Sequence, residues 1–156
     1  MEEFRDDLYI LLDVIIATVL TAIIGFERES AHKPAGMRTN MIVGGATCMI
    51  VAITVPLVNF INEYNPSEII RTDPIRVLEA IVVGVSFIGA GTIIKAEHKE
   101  RVIGLTTAAT LLFSCAIGAS AALKQYVLAI GATFLVIVIN YVVKEVTRYF
   151  SDSMER

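Results

Sequence analysis

The chain has 156 residues, 55% hydrophobic and 19% charged, with a formal net charge of −3 and a mean hydropathy of +0.68. A soluble domain is usually about 45–50% apolar and about 25% charged, with its charges spread over the surface. Here they gather in 1–7, 27–38, 62–76, 95–101 and 144–156, with long apolar runs between them, which excludes an ordinary soluble enzyme and points to a chain whose solvent is lipid.

The N-terminus, Met1-Glu2-Glu3-Phe4-Arg5-Asp6-Asp7, is acidic and has no small-residue cleavage site, so the first apolar run reads as a retained span rather than a removable signal. A spanning helix needs about 20 mostly apolar residues. Five runs qualify: 8–25, 39–61, 77–94, 104–123 and 126–144. Backbone groups in lipid must be satisfied internally, and these runs lack the alternation of barrel strands. The expected fold is therefore an all-α integral membrane bundle of about five helices, a single transmembrane domain over 1–156 with no soluble C-terminal domain. Pro56 lies near the end of the second run, where a kink or early stop is expected. Between the second and third runs, a short surface helix is expected around Ser67 to Arg71. The fourth and fifth runs are divided only by Lys124 and Gln125, which predicts a tight antiparallel hairpin.

With five spans, one side carries Arg28, Lys33, Arg38, Lys95, Lys99, Arg101, Lys144, Arg148 and Arg156, and the other carries Arg5, Arg71, Arg76 and Lys124. Positive charge concentrates on the cytoplasmic side, so the expected N-terminus is outside and the C-terminus cytoplasmic. A faint repeat links the halves. Gly25-Phe26-Glu27 with Gly36-Met37-Arg38-Thr39 is echoed by Gly89-Ala90-Gly91 with Gly104-Leu105-Thr106-Thr107. Parallel repeats of this kind occur in some transporters, though glycine-rich membrane turns also resemble one another by chance.

Polar chemistry is densest after the first span. Glu27, Arg28 and Glu29 leave it, Lys33-Pro34-Ala35-Gly36 makes a turn, and Arg38, Thr39 and Asn40 open the second span, where Thr39 or Asn40 can cap. Two functional readings are an ion gate and a protein-docking surface; the structural one is a salt-bridged turn with Arg28 or Arg38 on Glu27. Asp13 and Glu79 lie inside apolar runs, both in the outer leaflet on this topology. A carboxylate there costs about 2.5–3.5 kcal/mol and has to face protein or water. The two could line the mouth of a cation path or share a proton; for Glu79 the competing reading is an interfacial pair with Arg76, three residues earlier. Gly89 and Gly91 could break their helix and expose carbonyls to an ion, whereas the small residues Gly104, Ala108, Ser114, Gly118 and Ala122 read as packing stripes. Asn140 reads as an interhelical hydrogen bond. Cys48 and Cys115 lie in apolar runs with no metal-ligand spacing and read as packing residues. There is no Gly-x-x-x-x-Gly-Lys-Ser/Thr loop, no zinc-site spacing around His32 or His98, and no basic-aromatic interleaving for nucleic acid. An enzyme is not expected, and no cofactor is called for.

Three of these motifs together resemble the MgtC/SapB family of bacterial membrane proteins, in order and spacing across about residues 8–145. They are Gly25 to Glu29 with Lys33 to Thr39, the run Gly84 to Gly91, and Gly104-Leu105-Thr106-Thr107-Ala108-Ala109-Thr110. The family usually has glycine where Ser86 stands and arginine where Ile103 stands; Arg101 lies close to the latter. Asp13 and Glu79 match no motif acid, so no role is carried over to them. Longer members add a soluble C-terminal domain. The resemblance implies a multi-pass protein of the bacterial inner membrane linked to magnesium homeostasis, and for some members restraint of the ATP synthase.

The readings that follow are a protein that moves or senses Mg²⁺ or another cation, with Mg²⁺ as ligand or substrate, and a regulator without transport that binds another membrane protein. A proton- or anion-linked channel using the helix N-termini at Thr39 and Thr106 is a third. The ion-path candidates are Asp13, Glu79, Glu27, Glu29, Gly89, Gly91, Thr106 and Thr107. The partner-contact candidates are Glu27, Arg28, Lys33, Gly36, Arg38, Thr39, Asn40, Arg101 and Gly104. Small-residue faces on so thin a bundle suit a homodimer within the lipid bilayer.

Overall fold

Apolar runs of this length satisfy their backbone only by coiling, and the computed structural model of the chain, which describes residues 2–64, 74–94 and 104–154, contains six α-helices. They are α1 (Glu2–Ser30), α2 (Met37–Ala52), α3 (Thr54–Tyr64), α4 (Pro74–Ile94), α5 (Leu105–Ala122) and α6 (Tyr126–Met154). α2 and α3 together form one apolar stretch, Met37–Ile61, so five stretches are long and apolar enough to cross a membrane. The protein is a multi-pass membrane protein. The surface helix expected around Ser67 to Arg71, and Arg101, lie outside the described residues.

The interruption of the second span falls at Ile53, three residues before Pro56. Pro56 has no N–H for the Ala52 carbonyl, and its ring crowds that carbonyl. α2 therefore ends at Ala52, and Leu57 N–H donates to Ile53 to start the next turns. The α5–α6 hairpin is as tight as expected. Lys124 takes a left-handed φ of 59°, its N–H donates to Ala121, and Gln125 N–H donates to Ser120, the paired closure of a Schellman turn. α1 ends the same way at His32, with φ 55° and with Lys33 N–H donating to Arg28.

α5 is the hub and packs against α1, α2, α4 and α6. Of its span 44% is buried, against 11% of α4, which leans on α5 and scarcely touches α2. The closest crossing is between α2 and α5, where a Cβ added at Gly118 would sit 2.2 Å from the Gly44 carbonyl oxygen. Helices in lipid gain association from such close van der Waals contact. Three apolar clusters fill the bundle, including Leu111, Cys115 and Val43 in one, Ile24 and Ile117 in a second, and Ala17, Cys48 and Ala121 in the third. Both cysteines are free and buried. Hydroxyls within the spans turn back on their own helices: Thr18 donates to Val14, Thr21 to Ala17, Thr110 to Thr106 and Thr133 to Ala129.

The two halves of the faint repeat correspond in detail. Gly36 is the N-cap of α2 and Gly104 that of α5, neither with a side-chain cap bond. Four residues past each cap stand Asn40 and Ala108, and these face Gly25 and Gly89, whose added Cβ would lie 3.1 Å from the facing Cβ in both cases. Gly104 also needs to be glycine for its own conformation, φ +102°. α4 runs unbroken through Gly89 and Gly91, which corrects the expectation of a broken helix. Gly89 serves the α4–α5 crossing, its carbonyl accepts from Thr92 Oγ1, and Gly91 stands exposed with no atom near it.

Candidate functional site

The candidate residues sort to two opposite ends of the bundle. At one end is Asp13, only 2% exposed. Its carboxylate accepts from the Lys124 ammonium of the α5–α6 turn and from the Tyr126 hydroxyl at the start of α6. Asp13 thus has partners after all, 111 and 113 residues away, where its own helix offered none. The hydrogen bond to Asp13 holds the Lys124 ammonium above the usual lysine range. Glu79 takes no part in this arrangement. It stands exposed on α4, and among the described residues it has no hydrogen-bond or ion-pair partner, so neither the shared-proton pair with Asp13 nor the pair with Arg76 forms.

At the other end, α1 leaves the span into a corner built with α2, α5 and α6. Arg28 Nε and Nη2 donate to the two oxygens of the neighbouring Glu27, at 2.7 and 3.1 Å, and Asn140 of α6 donates to Glu27 Oε2 at 3.0 Å. Glu27 is therefore neutralised by Arg28, as the salt-bridged reading has it, and Asn140 makes the interhelical bond expected of it. Arg28 is 4% exposed, and its Nη1 is buried without a hydrogen-bond partner. Glu29 reaches eight residues forward to accept from the Met37 N–H at 2.9 Å, an acidic cap where a carboxylate favours a helix N-terminus. This corrects the expectation that Thr39 or Asn40 caps α2. Asn40 is fully buried and bridges instead: its amide donates to the Ala35 and Gly36 carbonyls, and its Oδ1 accepts from Ser114 of α5 at 2.7 Å.

Lys33 and Arg38 are exposed at this corner, as is Thr106 at the head of α5, whereas Thr107 is buried. The two ends are linked by α1 and α6, which run parallel in one register. Asp13 pairs with Tyr126 and Glu27 with Asn140, each pair 113 residues apart. The ends are about 21 Å apart at about 1.5 Å per residue, so Asp13 and Glu27 cannot share an ion. Among the described residues no three His, Cys, Asp or Glu side chains come together as a metal site. Sequence reasoning missed Lys124 and Tyr126 as partners of Asp13 and Ser114 as the partner of Asn40. The available signal was that a buried acid requires a donor at its own depth.

The sequence profile of the MgtC family matches residues 14–149, a stretch that includes the Glu27–Arg28–Glu29 corner, Asn40 and Ser114. The chain belongs to the MgtC family. Its relatives include Protein SapB of Bacillus subtilis, 34% identical over 70% of this chain and 45% of the relative. Protein MgtC of Salmonella typhimurium is 34% identical over 86% of this chain and 52% of the relative. A protein of Escherichia coli named putative magnesium transporter YhiD is 28% identical over 88% of this chain and 61% of the relative. The chain thus spans about half the length of these MgtC-family relatives. No solved structure matches it.

Proposed function

We propose that this chain is the membrane module of a magnesium-homeostasis protein of the bacterial inner membrane, and that it acts as a regulator by contacting another membrane protein through the Arg28 end. The observation that carries this reading is the engagement of Asp13. A carboxylate on a cation path has to be free to bind the ion. The Asp13 carboxylate is buried and already held by an ammonium and a hydroxyl from the opposite hairpin, an arrangement suited to fastening helices. The Arg28 corner offers the features of a contact surface: Glu29, Lys33 and Arg38 stand exposed around it. Lys and Arg gather at this end, which favours placing it in the cytoplasm, with the N-terminus outside.

Magnesium enters through the relatives, MgtC by family and YhiD by its name. That name also favours a second reading, in which Mg²⁺ is a transported substrate and Asp13 lies on its path. Growth at limiting magnesium, in a strain lacking its own homologue, separates the two. The regulatory reading expects Arg28→Lys and Glu27→Gln to abolish rescue, while the exchanged pair Asp13→Lys with Lys124→Asp retains it. Loss of rescue by the exchanged pair at wild-type membrane abundance, with Arg28→Lys and Glu27→Gln still active, overturns it.

A further inference from the structure

The end of the bundle that holds Asp13 also carries a cavity of about 440 Å³, lined by Asp6, Tyr9, Ile10, Lys124 and Tyr126. Asp6, Tyr9, Ile10 and Asp13 recur at helical spacing, so α1 turns one face toward the α5–α6 turn. That turn joins two membrane spans, Leu105–Ala122 and Tyr126–Val143. The cavity therefore lies at the boundary between lipid and water, where tyrosines concentrate. Its charges are ordered along the membrane normal. The Lys124 ammonium lies at the depth of Asp13, and Asp6 stands seven residues nearer the start of α1, about 10 Å closer to water. Asp13 uses one N–H of the ammonium, an ammonium has three, and the Lys124 side chain is 53% exposed. Asp6 is exposed and, among the described residues, has no hydrogen-bond or ion-pair partner; the Tyr9 hydroxyl has none either.

We propose that this cavity holds the headgroup of a phosphatidylethanolamine molecule, with its phosphate on Lys124 and its ammonium on Asp6. In such a lipid the phosphate adjoins the acyl-chain end and the primary ammonium is the tip. The cavity presents cation and acid in the matching order, with the cation deeper. Charge selects this class. Two carboxylates, Asp6 and Asp13, against one ammonium leave the site with a net negative charge, so a headgroup that is only anionic meets repulsion. A zwitterion satisfies both Lys124 and Asp6. A choline headgroup brings a positive charge but no N–H for the Asp6 carboxylate, and hydrogen bonds to charged groups are the strong ones. The Tyr9 hydroxyl lies in the same cavity and can donate to the phosphate. Free phosphoethanolamine carries the same two charges. The lipid is the occupant because the cavity lies at the membrane boundary, where the acyl chains stay in the bilayer while the headgroup binds. Held there, the headgroup bridges α1 and the α5–α6 turn on the water side of the Asp13–Lys124 pair.

The test is native mass spectrometry of the delipidated protein in detergent, titrated with phosphatidylethanolamine, phosphatidylglycerol and phosphatidylcholine of identical acyl chains. The wild type is expected to retain phosphatidylethanolamine in preference to the other two. Asp6→Asn is expected to weaken that binding about tenfold, to the level of phosphatidylcholine, since a hydrogen bond to a charged group is lost. Asp6→Lys is expected to turn the preference toward phosphatidylglycerol, a gain that misfolding cannot mimic. Asp6 is exposed, so both variants are expected to melt with the wild type. Glu79→Gln, at an exposed acid outside the cavity, is expected to bind lipid as the wild type does. Free phosphoethanolamine at the lipid's own concentration is expected to leave the lipid bound. Equal retention of the three lipids, binding indifferent to Asp6→Asn, no turn toward phosphatidylglycerol in Asp6→Lys, or displacement of the lipid by free phosphoethanolamine overturns the inference.

Discussion

Asp13 and Lys124, 111 residues apart, form an ion pair that ties the N-terminal half of α1 to the turn between α5 and α6. The Tyr126 hydroxyl completes the arrangement from the first residue of α6. Three helices thereby meet on one carboxylate that is 2% exposed. Removing one partner of such a pair leaves a buried charge, so its effect exceeds what the attraction contributes when both partners are present.

Lys124→Gln is expected to lower the stability of the detergent-solubilised protein by about 2–3 kcal/mol. That is below the about 3–5 kcal/mol of a fully buried pair, because the Lys124 side chain is 53% exposed. Tyr126→Phe removes one hydrogen bond to a charged group and is expected to cost about 1.5–3 kcal/mol. Thermal unfolding followed by circular dichroism checks both. A double-mutant cycle of Asp13→Asn with Lys124→Gln is expected to show clear coupling.

The pair also sets a pH dependence. Hydrogen bonding to Asp13 raises the Lys124 pKa above its ordinary 10.5. A base raised in the folded state contributes stability that is fully present below the unfolded value and lost as pH rises through the folded one. The difference in melting temperature between wild type and Lys124→Gln is therefore expected to hold constant from neutral pH toward 10.5 and to shrink only above it. Melting curves across an alkaline series measure this.

Gly118→Ala places a methyl 2.2 Å from the Gly44 carbonyl oxygen, a contact between backbones that only separation of α2 and α5 relieves. The expected loss is about 1–3 kcal/mol. Gly91→Ala, on exposed α4 with no atom within 4 Å, is expected to be neutral or slightly stabilising, since alanine favours helix by about 1 kcal/mol over glycine. Melting temperatures of the two variants, measured side by side, check the contrast.

Asn40→Ala leaves the Ala35 carbonyl and the Ser114 hydroxyl without their side-chain partner, while the Gly36 carbonyl keeps the backbone N–H of residue 40. Buried groups left unpaired cost about 1–3 kcal/mol each, and the α1–α2 turn loses its bracket. Limited proteolysis is expected to cut this variant between Ala31 and Gly36 faster than wild type, while the α5–α6 turn keeps its resistance.

Much of the helix pattern is legible in the sequence because lipid leaves the backbone few options: an apolar run bounded by charges coils. The interruption of the second span is legible from Pro56, although it lands at Ile53, since proline acts on the carbonyl four residues back. The repeat is legible as glycine spacing, yet only packing reveals that Asn40 and Ala108 are equivalent. The partners of Asp13 are not legible, because a one-dimensional pattern shows that a buried carboxylate needs a donor without saying which distant turn supplies it. The Glu27-Arg28-Glu29 run reads as an ion gate, a docking surface or a salt-bridged turn, and the sequence does not show that Arg28 is buried or that Asn140 of α6 donates to Glu27. The division of labour between neighbouring acids, Glu27 to Arg28 and Glu29 to the head of α2, depends on a turn at His32 whose left-handed residue is not a glycine.

The most direct test of the account is Mg²⁺ entry into proteoliposomes, measured with a Mg²⁺-sensitive dye for the wild type and for the exchanged pair Asp13→Lys with Lys124→Asp. With Asp13 as a fastening residue and the chain acting by contact, neither protein is expected to admit Mg²⁺ above empty liposomes. Entry through the wild type that disappears in the exchanged pair would place Asp13 on an ion path and contradict the account.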